Sequence, residues 1–238
     1  MKRKSFLLLI ISMIMVISIG CSKVNDNTNA NTDENASVGL PSLTYIGHAT
    51  VKIKTKEGKV IYIDPAYAKG DYNEEADYIL VTHEHDDHNK ISLCKKNDDT
   101  VIIRSKDALK DGEYKTFEYD GIKIEAVPSG GNANHSVSYC VGYIVTVDGI
   151  SIFHAGDTSM NDETKKIIGK DIDYAMYPID GQYNMDASEA SEVADLIGAK
   201  KNIPIHEFDS GDVKKSDNFN AKDKLVLKYG ETIQLENQ

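Results

Sequence analysis

The chain of 238 residues has little cysteine, little proline and too few basic residues to balance its acids. Three cysteines are too few for a disulfide-stabilised scaffold, and five prolines with 17 glycines exclude collagen-like and proline-rich proteins. Lysine and arginine number 27 against 38 aspartates and glutamates, which gives a net charge of -11. An acidic surface repels phosphate backbones, so we expect no nucleic-acid partner.

Two common catalytic motifs are also missing. The segment Gly130-Gly131-Asn132 lacks the Lys-Ser/Thr pair of a phosphate-binding P-loop. The chain has no Gly-x-Ser-x-Gly elbow, so nothing supports serine-hydrolase chemistry. The length and the 40% of apolar residues suit one domain with an ordinary core.

The first 38 residues resemble an export signal followed by a tether. Three basic residues precede an apolar run, Phe6–Ile19, that is shorter than the roughly 20 residues of a membrane-spanning helix. The run ends at Gly20-Cys21, which resembles a bacterial lipobox. We therefore expect a lipoprotein signal peptide at 1–20 and lipidation of Cys21. An uncleaved N-terminal anchor is the alternative.

Residues 22–38 are rich in Asn, Asp, Ser and Thr and contain almost nothing to bury. Such a segment cannot offset the entropy of its own ordering, so 21–38 is predicted to be a lipidated cysteine and a disordered tether. A lipid anchor, a tether and then a domain at 39–238 indicate an extracytoplasmic protein held at the cell membrane.

The pattern from residue 39 onward predicts a mixed α/β domain. Short apolar segments between turn signals predict strands, and helical spacing of apolar residues predicts two later helices. The predicted strands are Leu43–Ile46, Val51–Lys54, Val60–Ile63, Tyr78–Thr82, Val101–Arg104, Thr116–Tyr119, Ile122–Val127, Tyr139–Val147, Ile150–Phe153, Ile203–Ile205 and Leu225–Leu227. The predicted helices are Asn161–Ile168 and Ala187–Ile197, the second capped by Asp186 or Ser188 and ended by Gly198.

All seven histidines lie between residues 48 and 206, and three of them lie within the segment Thr82–His88. This segment, THEHDDH, directly follows an apolar strand. Imidazole and carboxylate groups at such a strand end can surround a cation from one side, and they lack the thiolates of structural zinc sites. The segment therefore predicts a site for zinc, iron or manganese.

Five motifs, in order, resemble the metallo-β-lactamase superfamily. They are Tyr45–Thr50 (YIGHAT), Ile61–Pro65 (IYIDP), His83–His88 (H-x-H-x-D-H), Phe153–Thr158 (FHAGDT) and Ile203–His206 (IPIH). The set is similar to the simple hydrolase branch that includes ascorbate-phosphate lactonase-like proteins. The resemblance implies a four-layer αβ/βα sandwich of a single domain. It also implies two divalent metal ions, with zinc the first choice and iron or manganese the alternatives.

Position by position, the resemblance implies a set of metal ligands. They are His83, His85 and His135 for the first metal, Asp87, His88 and His206 for the second, and Asp157 between the two. His48, Asp64 and Tyr183 are expected to hold these ligands or to face the substrate, whereas His154 is expected to pack behind Asp157. Asp180 stands where this branch often has glycine.

These observations predict a hydrolase that uses a metal-bridging hydroxide, with Asp87 steering the hydroxide and taking its proton. The expected substrate is a small lactone, another ester or amide, or a phosphodiester, with the lactone favoured by the branch that the motifs resemble. Two other functions stay open: a non-catalytic lipoprotein that binds a metal or ligand, and a redox enzyme of the related di-iron kind. Cys94 and Cys140 are expected to be buried free thiols, and a disulfide between them is the alternative.

Overall fold

The computed structural model describes residues 39–207 and 215–237. The predicted signal peptide, Cys21 and the tether lie outside these residues. Within the described ranges, no helix is long and apolar enough to cross a membrane.

The described residues form fourteen strands and a few short helices. The strands are β1 (Ser42–Gly47), β2 (Thr50–Lys54), β3 (Val60–Ile63), β4 (Tyr78–Val81), β5 (Val101–Arg104), β6 (Leu109–Lys110), β7 (Glu113–Tyr114), β8 (Thr116–Tyr119), β9 (Ile122–Pro128), β10 (Val141–Val147), β11 (Ile150–His154), β12 (Tyr174–Pro178), β13 (Lys201–Ile205) and β14 (Glu231–Gln234). The α-helices are α1 (Ser105–Ala108) and α2 (Ala187–Ile197), and 3-10 helices cover Ile91–Leu93, Thr164–Ile167 and Lys215–Asn218.

Two six-stranded mixed sheets carry the fold. The first sheet has the order β14-β1-β2-β3-β4-β5, and its β3, β4 and β5 run parallel. The second has the order β13-β12-β11-β10-β9-β8, and its β11, β12 and β13 run parallel. The other neighbouring pairs are antiparallel. Each sheet therefore has an antiparallel half and a parallel half whose strands are joined by crossover connections.

The strand sequences match the burial of each strand. The apolar β4 lies inside the first sheet and is buried along its whole length. The β8 strand lies at the edge of the second sheet, where Thr116 and Glu118 alternate with half-buried aromatic residues. Two predicted turns join hairpins: Asp120-Gly121 and Asp148-Gly149 all have positive φ, as the tight turns that match strand twist require.

Three apolar cores separate four layers. The largest core lies between the two sheets and includes Val51, Leu80 and Val145. A second core packs α2 against the outer face of the second sheet. A third core lies on the outer face of the first sheet, under Tyr72 and the 3-10 helix Ile91–Leu93. This confirms the predicted αβ/βα sandwich, with only a thin outer layer over the first sheet.

Two predicted elements are wrong. Asn161–Ile168 forms a helix only at Thr164–Ile167, and that helix is 3-10. The Asn161 side chain accepts hydrogen bonds from the backbone N–H groups of Glu163 and Thr164, as an N-cap does, but from Glu163 onward the backbone bonds join residues three apart instead of four. Gly169, at φ 86°, then ends the element.

The predicted strand Leu225–Leu227 is also absent. The Leu225 N–H donates to Asn202 O, and Lys224 forms one isolated bridge to Asn202, but the pairing does not extend. Two strands of the six-stranded sheets were not predicted from the sequence. They are β14, which pairs with β1, and the fully buried β12, whose five residues show no alternation and end at Pro178.

Candidate metal centre

The histidines and acids singled out in the sequence gather at one edge of the sandwich. Each follows the carboxyl end of a strand, where loops of both sheets meet. His48 follows β1, Asp64 follows β3, the segment Thr82–His88 follows β4, His135 follows β9, Asp157 follows β11, Asp180 follows β12 and His206 follows β13. Ligand sites of α/β sheets commonly lie outside the carboxyl ends of strands.

His83, His85 and His135 form the first group of donor atoms. One nitrogen from each ring lies within 4.8 Å of the others, and His135 Nε2 is 3.2 Å from His85 Nδ1. The buried Nε2 of His83 has no hydrogen-bond partner. Burial and then the nearby His88 lower the pKa of His83 to about 3, so its ring stays neutral with a lone pair available to a cation.

Asp87, His88 and His206 form the second group, with His48 beside them. His88 Nε2 lies 3.4 Å from His206 Nε2, which lies 3.7 Å from Asp87 Oδ2. Burial alone would raise the pKa of Asp87, but hydrogen bonds from His206 and His48 hold it well below its usual value. The carboxylate of this group is therefore ionised at neutral pH.

Asp157 lies between the two groups. Its Oδ1 is 3.2 Å from His88 Nε2 and its Oδ2 is 3.2 Å from His135 Nε2. The side chain is buried, and Oδ1 has no hydrogen-bond partner of suitable geometry. Burial opposes its charge, but His88 and His206 hold the pKa of Asp157 well below its usual value. An ionised carboxylate that faces two sets of imidazoles, with orphaned atoms on both sides, fits a pair of divalent cations.

In four of the imidazoles, Nδ1 points away from the cluster of donor atoms and faces an oxygen atom. The pairs are His83 with Thr82 Oγ1 at 3.0 Å, His88 with Asp64 Oδ2 at 2.8 Å, His135 with Asn132 Oδ1 at 3.2 Å and His206 with Asp180 Oδ2 at 3.2 Å. Such partners orient ligand imidazoles so that Nε2 faces the cation. Asp64 was predicted from the sequence to lie around the ligands, whereas Thr82, Asn132 and Asp180 were not predicted in this role. Only the position of Thr82 directly before His83 was a usable signal.

The remaining predicted residues fall in different places. His48 Nε2 lies 3.1 Å from Asp87 Oδ2, and its ring centre is 3.8 Å from that of His206. Tyr183 is 45% exposed, and its N–H donates to Asp180 Oδ1. His154 is buried and turned into the sandwich, where its Nε2 lies 2.8 Å from Ala49 O.

Three site residues have left-handed backbone. His48, Asp64 and His206 have φ of 56°, 49° and 57°, a region that residues other than glycine rarely adopt. Hydrogen bonds hold two of them, because Asp64 N–H donates to Leu80 O and His206 N–H donates to His48 O. Strain of this kind collects at functional sites.

The layered fold and this donor set define an enzyme class, the metal-dependent hydrolases of the metallo-β-lactamase fold. The chain belongs to the beta-lactamase superfamily, because the model of the beta-lactamase superfamily domain matches residues 42–206.

Two curated relatives and one solved structure illustrate the relationship. The chain is 31% identical over 232 residues to a UPF0173 metal-dependent hydrolase of Sulfolobus acidocaldarius, a match that covers 82% of this chain and 100% of the relative. It is 32% identical over 226 residues to a UPF0173 metal-dependent hydrolase of Anoxybacillus flavithermus, covering 81% and 99%. The structure of Igni18, a novel metallo hydrolase of Ignicoccus hospitalis, has a TM-score of 0.66 at 23% identity, covering 84% and 100%. That last likeness concerns the fold.

Proposed function

We propose that this protein is a dinuclear metal-dependent hydrolase of a small lactone or related ester. The observation that carries the proposal is the Asp157 carboxylate, which turns one oxygen toward each group of imidazoles. His83, His85 and His135 would hold one ion, and Asp87, His88 and His206 the other. Two divalent ions, zinc being the first choice, supply an activated water nucleophile and polarise the bond to be cleaved.

The chain's own residues then orient the reaction. Asp87 is the most exposed acid of the centre, with 49% of its side chain open to solvent, so water and substrate can reach it. Its Oδ2 faces His48 and His206, which fixes its direction. We assign to Asp87 the steering of the attacking water and the acceptance of its proton.

The substrate class rests on the motifs and on charge. The five ordered motifs resemble a branch with lactonase-like members, which favours a cyclic ester over other esters, amides or phosphodiesters. The net charge of -11 disfavours a nucleic-acid substrate. We further place the enzyme outside the cytoplasm, anchored through Cys21 after removal of residues 1–20 and carried on the tether 21–38. The family match begins only at residue 42, beyond this leader and tether.

Elemental analysis of the full-length chain, purified in mild detergent without a histidine tag, tests the metal pair. We expect about two zinc, iron or manganese ions per chain in wild-type protein and fewer than one in Asp157→Ala, because that change removes the shared ligand. The matched control is Asp86→Ala, which alters an exposed acid of the same motif. A single ion that survives Asp157→Ala would contradict the shared site.

A panel of lactones, linear esters, amides and phosphodiesters then tests the chemistry. Hydrolysis of lactones by wild-type protein, lost in Asp157→Ala and retained in Asp86→Ala, supports the proposal. Two bound ions without turnover of any compound class would contradict the proposed reaction. Membrane fractionation of wild-type and Cys21→Ala chains tests the anchor, and equal membrane association of both would contradict it.

A further inference from the structure

Asp180 is a buried carboxylate beside the second donor group, at a position where the branch that the motifs resemble often has glycine. Its side chain is fully buried, and its Oδ2 lies 3.2 Å from His206 Nδ1. Its Oδ1 accepts hydrogen bonds from the N–H groups of Gln182 at 2.7 Å and Tyr183 at 2.6 Å. The Asn184 side-chain amide donates to Oδ2 at 2.7 Å.

The donors from the loop fix the direction of this carboxylate. With Oδ1 held by the backbone N–H groups of Gln182, Tyr183 and Asn184, Oδ2 is left facing His206. A buried carboxylate is unfavourable unless its oxygens are hydrogen-bonded, and here both oxygens are. The Asp180 carbonyl also accepts a hydrogen bond from Lys215 Nζ, which ties the backbone in place.

An ionised carboxylate only accepts hydrogen bonds, which determines the tautomer of the ring that it faces. The negative charge of Asp180, 3.2 Å from Nδ1, favours the tautomer of His206 with its proton on Nδ1, so the lone pair of the neutral ring lies on Nε2. That Nε2 lies 3.4 Å from Asp157 Oδ1, on the metal-binding side. A glycine at position 180 would offer no side-chain acceptor to the same ring.

We propose that Asp180 is a positioning residue of the second metal-binding position, where it fixes the orientation and tautomer of His206. The inference rests on the two-metal site of the proposed function. It predicts that the second position depends on Asp180 while the first, built from His83, His85 and His135, does not. The partner of His135 at the first position is the neutral amide of Asn132.

The testing variant is Asp180→Asn in the full-length chain. The asparagine oxygen can still accept from Gln182 and Tyr183, so the loop keeps its anchor, but its amide group cannot accept a proton from His206. The matched control is Asn184→Ala, which removes a loop contact to the same Oδ2 and leaves the carboxylate facing His206. Zinc titration against a competing chelator gives the two stepwise affinities of each protein.

We expect Asp180→Asn to weaken one zinc-binding step by about 10- to 100-fold, the usual effect of losing such a partner, and to leave the other step unchanged. Asn184→Ala should bind both ions as wild type does. Unchanged affinities in Asp180→Asn would overturn the inference, as would an equal loss in Asn184→Ala, which would show that loop order alone matters. Wild-type protein that binds fewer than two ions would overturn both the inference and the proposed function.

A measurement on unaltered protein covers the case in which Asp180→Asn does not fold. In the zinc-loaded chain labelled with ¹⁵N-histidine, long-range ¹H–¹⁵N spectra should show the His206 proton on Nδ1. A proton on Nε2 would overturn the inference. Every readout here is metal binding or ring protonation, so a failure of the substrate panel removes the proposed reaction without affecting this test.

Discussion

Aspartate has three distinct roles in this centre, and its surroundings decide which one each residue takes. Asp157 is buried between two sets of imidazoles and faces both. Asp64 and Asp180 are equally buried but face Nδ1 atoms, so they orient rings. Asp87 alone of these four is half exposed, which is why we assign it contact with the reacting water.

The role of Asp87 predicts a separation between turnover and substrate binding. Asp87→Asn keeps the size of the side chain and an oxygen for coordination but removes the proton acceptor. We expect kcat to fall about 100-fold or more, as for loss of a general base, with a much smaller change in KM. The control is Glu84→Gln, an exposed acid in the same segment. Full turnover by Asp87→Asn with both metals bound would show that this role is wrong.

Among the secondary-structure elements, the strands place the site residues at their carboxyl ends, and α2 packs against the strands of the second sheet. The helix covers the second sheet, and it starts directly after the loop that holds Asp180. Asp186 Oδ1 accepts hydrogen bonds from the N–H groups of Ser188 and Glu189, and Gly198 ends the helix at φ 73°. The structure thus selects Asp186 over Ser188 as the N-cap.

This choice of cap predicts a difference between two alanine substitutions. Asp186→Ala should lower the free energy of unfolding by about 1 kcal/mol, because two N–H groups of the first turn lose their acceptor. Ser188→Ala should change it by less than about 0.5 kcal/mol, since alanine suits a helix interior. Urea unfolding followed by circular dichroism measures both. The opposite ranking would contradict the assigned cap.

In the molecule as a whole, the candidate metal centre takes residues from both sheets. His48, Asp64 and the segment Thr82–His88 come from the first sheet, whereas His135, Asp157 and His206 come from the second. Tyr143 of β10 adds a direct link, because its hydroxyl donates to Val81 O of β4 and reaches Ile103 O of β5. The donor atoms therefore meet only when the sandwich is closed.

Metal removal should therefore destabilise the entire fold. An ion that binds the folded chain at 1,000 times its dissociation constant stabilises it by about 4 kcal/mol. At roughly 2–4 °C per kcal/mol for a domain of this size, dialysis against a chelator should lower the melting temperature by on the order of 10 °C. Calorimetry before and after dialysis measures the shift, and zinc should restore it. A chelated protein that melts at the same temperature would contradict a centre shared by both sheets.

Local sequence was enough for features that depend on neighbours along the chain. Examples are the apolar strand before His83, the Asp-Gly turns and the helix α2. Each depends on residues that are close together in the sequence, so each could be predicted. The helix predicted over Asn161–Ile168 also had local signals, and Asn161 does cap its start, but only a 3-10 helix of four residues forms before Gly169, at φ 86°, ends it.

The class of fold, the residue types of the candidate centre and their order along the chain could all be predicted from the amino-acid sequence. The folded structure was needed to show that Asp180 faces His206, that Asn132 faces His135 and that Tyr183 lies exposed. These contacts form only within about 3 Å, and that distance depends on how strands of two sheets pack and on where each loop turns. Hydrophobic periodicity records which face of a strand is buried, and it carries no information about which loop atom meets which imidazole.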